Sequence, residues 1–234
     1  MDASEVLAQW SAREPRALLL DFNGTLSDDE HLLQEIFAGI VADRWGGTLT
    51  DEDYRTRLLG LSDREIAVRL AHEHGDADEG AVEEMLATRQ ERYLARTDGG
   101  TTVTEAARTL VRELRDAGAR TGVVTGAQRV EVEHVLAASG LADAFDVVVC
   151  EEDVRAGKPD PEGYLRAAGA LGVPVEACLV FEDSGVGVQA ARGAGMTVVG
   201  VSGGTDPGRL HEADAVVARL GEMPGEPSRG SAGG

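Results

Sequence analysis

The chain reads as a doubly wound α/β protein, a parallel sheet flanked by helices, with a helical lobe inserted after the first strand. Three observations predict this. Short apolar runs recur at 17–20, 121–125, 146–150, 178–181 and 197–201, each of a length that suits a buried strand. Helical patterns separate the last four runs, and such alternation implies parallel strands with helices on both faces. The stretch from about 28 to 98 breaks the alternation and reads as helices only.

Residues 2–14 fit a short outer helix. The run Ala17-Leu18-Leu19-Leu20 then leads into Asp21-Phe22-Asn23-Gly24-Thr25-Leu26, so an acid stands at the carboxyl end of a strand and a glycine turns the chain. In the inserted lobe, Leu32, Leu33, Ile36, Phe37, Ile40 and Val41 form one apolar stripe. Ser62-Asp63-Arg64-Glu65 has the form of a capping box that starts a further helix, and Val82, Met85, Leu86, Tyr93 and Leu94 continue the pattern. The lobe holds 18 Asp/Glu against 8 Arg, so most of its surface is expected to be a solvated acidic face. Beyond it, Thr104–Ala117 closes at Gly118, Arg129–Ser139 at Gly140 and Pro161–Leu171 at Gly172, with glycine just past a helix end and proline in a first turn. The expected division is a core of residues 15–27 and 99–220, a helical cap of residues 28–98, and a Gly-, Pro- and Ser-rich disordered tail of residues 221–234.

Composition removes several classes of function. A net charge of −20 repels nucleic acid and anionic membrane, and admits a phosphate substrate only where a metal or a local cation reverses the field. No apolar stretch is long enough to span a bilayer, and the first residues lack the basic-then-apolar order of a signal peptide, so a cytoplasmic protein is expected. Cys150 and Cys178 sit far apart in apolar runs and read as buried, reduced thiols. The basic residues are 21 arginines and one lysine, Lys158, which marks a place where a compact ammonium is wanted and a planar fork is not.

Four strand ends carry polar residues that one sheet edge could bring together: Asp21 with Asn23, Thr125, Lys158, and Glu182-Asp183-Ser184. Their chemistry is complementary. Asp21 and Asp183 are hard oxygen ligands suited to Mg²⁺ with waters and a substrate phosphate. Lys158 could neutralise a carboxylate pair and a transferring phosphoryl group. Thr125 and the backbone N–H groups beside it, Gly126 included, could hold phosphate oxygens. A carboxylate oxygen left free of the metal could attack phosphorus and form an aspartyl phosphate.

At this point the sequence resembles the haloacid dehalogenase superfamily, in the branch with a helical cap inserted after the first motif. The resemblance spans roughly residues 15–218 and implies a Rossmann-like core with a four-helix cap. Asp21-x-Asn23-Gly24-Thr25-Leu26 is similar to the first motif except at Asn23, Thr125 to the second and Lys158-Pro159 to the third. Phe181-Glu182-Asp183-Ser184-x-x-Gly187-x-x-Ala190-Ala191-x-x-Ala194-Gly195-Met196 is similar to the fourth motif and its helix. The resemblance implies that Asp21 is the nucleophile and that Asp183 and the backbone carbonyl of Asn23 bind Mg²⁺. It also implies that Glu182 supports the metal shell, Thr125 binds phosphoryl oxygen, and Lys158 steadies charge. The implied activity is Mg²⁺-dependent hydrolysis of a small phosphorylated metabolite.

Asn23 departs from the pattern. The family's phosphatases and mutases carry an aspartate there, which protonates the leaving oxygen and then activates the attacking water or hydroxyl. An amide cannot do this, and general acid–base help is worth about 10²–10⁴ in rate. Asp28, Asp29, Glu30 and His31 lie just beyond the motif as possible replacements. His31 has the most suitable ordinary pKa but reads rather as an exposed helix-start residue. A sugar-phosphate mutase is disfavoured, since it needs the acid at 23 and a histidine where Leu33 stands. Phosphonate chemistry needs a cap lysine that this chain lacks, and dehalogenating members place a tyrosine at 23. Gly185-x-Gly187-x-x-Ala190 with Asp206 is a weak dinucleotide fingerprint beside acids that would repel a pyrophosphate. A non-catalytic protein that binds or senses a phosphorylated metabolite is the other alternative. Arg57, Ser62 and Arg64 are candidate substrate contacts from the cap.

Overall fold

A computed structural model describes residues 2–59, 61–76, 78–98, 101–203 and 207–221. Asp206 and nearly all of the expected tail lie outside these. The chain opens with α1 (Ala3–Ser11), where Asp2 and Glu5 form a capping box and Val6 and Trp10 are buried. Trp10 Nε1 donates to the carbonyl of Ala177 at 2.9 Å and ties this helix to the body of the protein. Next come β1 (Ala17–Leu20) and four helices in succession: α2 (Glu30–Trp45), α3 (Asp51–Arg57), α4 (Asp63–Glu73) and α5 (Glu79–Thr97). Then follow α6 (Glu105–Asp116), β2 (Arg120–Val124), α7 (Arg129–Ala138), β3 (Val147–Val149) and α8 (Glu162–Leu171). The described chain ends with β4 (Cys178–Glu182), α9 (Gly185–Gly193), β5 (Thr197–Val201) and β6 (Ala215–Val217).

The six strands form one parallel sheet in the order β3-β2-β1-β4-β5-β6. All four residues of β1 are buried because both faces of the sheet are covered, which explains an unbroken apolar run in place of alternation. Leu18 and Leu20 pack with the inserted helices and with α6 and α7, while Ala17 and Leu19 pack with α8 and α9. The stripe predicted on α2 is buried at all six positions, and Ser62 caps α4 through the predicted box with Glu65. The sixth strand was not expected from the sequence. The third apolar run is shorter than expected, and the second ends at Val124, which leaves Thr125 just past the strand.

The register places the chemistry. Strand β1 feeds β2 on one side, and the chain later returns as β4 on the other, so strand order reverses between β1 and β4. Ligands of open α/β sheets bind outside the carboxyl ends of strands at such a point. Leu20 pairs with Val123 and with Phe181, so Asp21, Val124 and Glu182 stand in one row across the three central strands.

Candidate active site

Asp21, Asn23, Thr125, Gly126, Lys158 and Asp183 line one cleft of about 530 Å³ between the carboxyl edge of the sheet and the inserted helices. Glu182 lies directly beneath it, fully buried. The sequence-predicted constellation is therefore assembled at one place. Asp21 is fixed by its backbone N–H, which donates to Phe181 at 3.0 Å as the last rung between β1 and β4. Thr125 is fixed likewise by Val149 at 2.9 Å. Its Oγ1 accepts from the N–H of Ala127 at 3.0 Å, which leaves the hydroxyl proton free to point outward. Gly126 is exposed, and a Cβ there would meet nothing within 4 Å, so its backbone is open to an incoming oxygen.

Lys158 reaches in from the segment before α8. Its Nζ lies 2.5 Å from Asp21 Oδ1 and also bonds Glu182 Oε1. Burial alone would lower the pKa of this ammonium, but the charges of Asp21 and Glu182 outweigh it and hold the group protonated. An arginine would need a wider, planar arrangement of acceptors, so the chain's single lysine stands where a point charge fits. Glu182 is saturated: Tyr164 OH donates to Oε1 at 2.9 Å, and the Ser184 backbone N–H and Oγ donate to Oε2 at 3.2 and 3.0 Å. A Cβ on Gly187 would fall 1.9 Å from the Glu182 carboxyl carbon, so only glycine lets α9 start against this acid. Gly187 of the weak dinucleotide fingerprint thus serves packing around Glu182.

Asp21, Glu182 and Asp183 bring carboxylate oxygens within 4.8 Å of one another. One ammonium cannot neutralise three acids. Burial pushes the Asp21 carboxyl up to about 7 despite Lys158, and pushes Asp183 well above the carboxylate range. Among the described residues no donor bonds the Asp183 side chain. A Cβ on Gly24 would fall 2.2 Å from Asp183 Oδ2, so the turn after Asn23 needs glycine both for this approach and for its φ of 76°. Hard oxygens, uncompensated charge and an unbonded carboxylate fit a divalent cation. Because Glu182 already accepts four hydrogen bonds, it suits a supporting position better than direct ligation.

Asn23 has a partner that the sequence did not disclose. Its Nδ2 donates to Asp29 Oδ2 at 2.9 Å, and Asp29 is fully buried. Tyr93 OH at 2.6 Å, Ser27 Oγ at 2.7 Å and the Gly24 N–H at 3.3 Å bond the same carboxylate. His31 is exposed on the first turn of α2 and lines an adjacent cleft, as its helix-start reading expected. Glu30, one residue earlier, lines the main cleft itself. Burial, then the charges of Asp29 and Asp21, push its carboxyl up to about 8. Of the three cap contacts expected, only Ser62 lines the main cleft. Arg57 and Arg64 are corrected to surface roles, paired with Asp53 and Glu73 and with Glu79 and Glu83 respectively. Both cysteines are buried and free, and burial pushes Cys150 up to about 12 and Cys178 up to about 11, so neither is poised as a nucleophile.

The family model for haloacid dehalogenase-like hydrolases matches residues 15–195. The chain belongs to this family. It is 32% identical over 209 residues to validoxylamine A 7'-phosphate phosphatase of Streptomyces hygroscopicus subsp. limoneus, covering 89% of this chain and 95% of that one. It is 30% identical over 210 residues to hexitol phosphatase A of Escherichia coli, covering 89% and 93%. Among solved structures it is similar to CbbY from Rhodobacter sphaeroides in complex with phosphate, with a TM-score of 0.79 at 28% identity over 89% of this chain and 96% of that one. A mutant of the same protein in complex with xylulose-(1,5)bisphosphate aligns equally well. Fold and branch are thus those the motifs implied: a haloacid dehalogenase-like core with a helical cap.

Proposed function

We propose that this family member is a phosphatase acting on a small phosphorylated metabolite through an aspartyl phosphate on Asp21. The single observation that carries the reading is the position of Lys158, bonded to both Asp21 and Glu182 beside the unbonded carboxylate of Asp183. Asp21 Oδ1 is held by the lysine, which leaves the other oxygen for attack on phosphorus. Thr125 Oγ and the Gly126 N–H would take the phosphoryl oxygens, and Lys158 would offset charge as it builds there. Asp21, Asp183 and the backbone carbonyl of Asn23 would hold Mg²⁺, with Glu182 behind them. The bound ion would supply charge neutralisation between the nucleophile and the dianionic phosphate. Residues 28–98 would act as the cap that selects the substrate and excludes water, with Ser62 at its inner face. The names of the relatives, and the phosphate and bisphosphate complexes, support a phosphorylated small molecule as substrate.

The test is phosphate release from a panel of phosphorylated metabolites in Mg²⁺. Release is expected to vanish with EDTA and in Asp21→Asn. A second reading, a protein that binds such a metabolite without turnover, draws support from Asn23, whose amide is committed to Asp29. Tight binding with no phosphate released from any ester would favour it.

A further inference from the structure

The phosphatase reading requires a proton for the leaving oxygen, and Asn23 cannot give one. The other acids along the cleft sort by their partners. Asp63 Oδ2 is held by Arg89 Nη2 at 3.0 Å. Glu65 closes the capping box on Ser62, and Asp160 accepts the Glu162 N–H at 2.9 Å. Asp29, the partner of Asn23, is fully buried and does not line the cleft. Glu151 is exposed in a short 3-10 turn. Glu30 differs from all of these. It opens α2, it is half-buried, and it has no cationic partner among the described residues. Among the described residues its carboxylate has one hydrogen bond, a long one from Tyr54 OH at 3.5 Å. A Cβ placed on Gly24 would fall 3.2 Å from Glu30 Cγ and 2.2 Å from Asp183 Oδ2, so Glu30 crowds the turn that carries Asn23.

We propose that Glu30 is the general acid and base of this enzyme, filling from the first turn of α2 the role that position 23 has lost. The proposal rests on the phosphatase reading above. In the first half-reaction an Asp21 oxygen forms a bond to phosphorus and the bond from phosphorus to the leaving oxygen breaks. That oxygen takes the proton of the Glu30 carboxyl and departs as a neutral alcohol. In the second, the Glu30 carboxylate removes a proton from water, whose oxygen bonds to phosphorus. The bond to Asp21 breaks, free phosphate leaves, and Glu30 is again protonated. Atoms and protons balance over the cycle without any further reactant.

The experiment uses p-nitrophenyl, phenyl and benzyl phosphate in Mg²⁺, a series of rising leaving-group basicity. It compares kcat/KM, which reports only the first half-reaction, for wild type, Glu30→Gln and Glu30→Asp. A nitrophenolate leaves without a proton, whereas a benzyl alkoxide does not. Glu30→Gln is expected to lower kcat/KM for benzyl phosphate by about 10²–10⁴-fold and for p-nitrophenyl phosphate by no more than about 10-fold. Glu30→Asp, which keeps an acid but shortens its reach, should fall between wild type and Gln in this dependence. Thermal unfolding confirms that each variant is folded; if the Gln form is not, the Asp form alone must show the steeper dependence. A uniform drop across the series, or none, overturns the proposal, since a residue that only binds substrate or supports α2 would act on all three esters alike. If wild type cleaves none of them, or Asp21→Asn cleaves them equally well, the phosphatase reading fails and takes this proposal with it.

Discussion

At the scale of single residues, the amide at 23 and the acid at 29 depend on each other. Asp29 is buried with no cation on its carboxylate among the described residues, and burial pushes its pKa upward against four hydrogen bonds. Asn23→Asp would set a second carboxylate against it, so one of the two must take up a proton or the contact is lost. Leaving such a buried group unsatisfied costs about 1–3 kcal/mol. Urea unfolding of Asn23→Asp should show a loss in that range, and adding Asp29→Asn should recover part of it. Equal stability of Asn23→Asp and wild type would show that the pair contributes nothing. This contact also explains what the motif could and could not disclose. Asp21, Thr125 and Asp183 were legible because each follows an apolar run, and parallel strands bring such ends to one edge. Lys158, expected at a strand end too, stands instead on the segment between β3 and α8, well past Val149, and its being the chain's single lysine marked it. The environment of Asn23 was not legible, because Asp29 points inward only once α2 and Tyr93 of α5 have packed over the turn.

At the scale of elements, the inserted helices are joined to the sheet by a buried ion network. Arg89 of α5 is 2% exposed and bonds both Glu131 of α7 and Asp63 at the start of α4. The charge pattern of the lobe predicted a solvated surface. Most of its arginines do pair outside, as Arg44 does with Asp76 and Glu84, and Arg92 with Asp43. Arg89 is the exception, and its own sequence neighbourhood gave no sign of it, since Glu131 lies 42 residues away on another element. The strand β6 escaped notice for a related reason. Ala215-Val216-Val217 is too short to stand out, and it is a strand only because β5 offers its edge. Removing one partner of a buried ion pair strands the other, at about 3–5 kcal/mol. Arg89→Met is therefore expected to lose that much in urea unfolding, while Arg55→Met, on the exposed pair with Asp51, should change stability by less than about 1 kcal/mol. Similar losses in the two variants would remove α5 from its place as the tie between lobe and sheet.

For the whole molecule, the governing quantity is negative charge held inside a fold that is already strongly acidic. Besides the metal-side acids, burial pushes Glu131 up to about 7 and Glu30 up to about 8, and raises Asp29 and Asp63 as well. Their unfolded counterparts titrate near about 4. Between these limits the folded protein binds more protons than the unfolded chain, so stability must fall as pH rises through the window and level off above the upper value. The net charge of −20 acts in the same direction, because self-repulsion relaxes as carboxylates protonate. A few acids oppose this. Asp53, Asp76 and Glu105 are held below their ordinary values by hydrogen bonds, to Thr50 for Asp53, to Arg44 for Asp76 and to Arg108 for Glu105. Their contribution is present above the unfolded pKa and is lost as pH falls through the folded one, so it sets the acid limit. In EDTA the Tm is therefore expected to rise on going from pH 8.5 to about pH 5.5 and to fall again below about pH 4. Glu30→Gln should flatten the upper end of this curve, because it removes a carboxyl that burial pushes up to about 8. Mg²⁺ should raise the Tm most at the alkaline end, where Asp21, pushed up to about 7, is free of its proton. A Tm that climbs steadily from pH 5.5 to 8.5 in EDTA would mean that the interior acids ionise without penalty, and the charge that the fold stores around its cleft would then need another explanation.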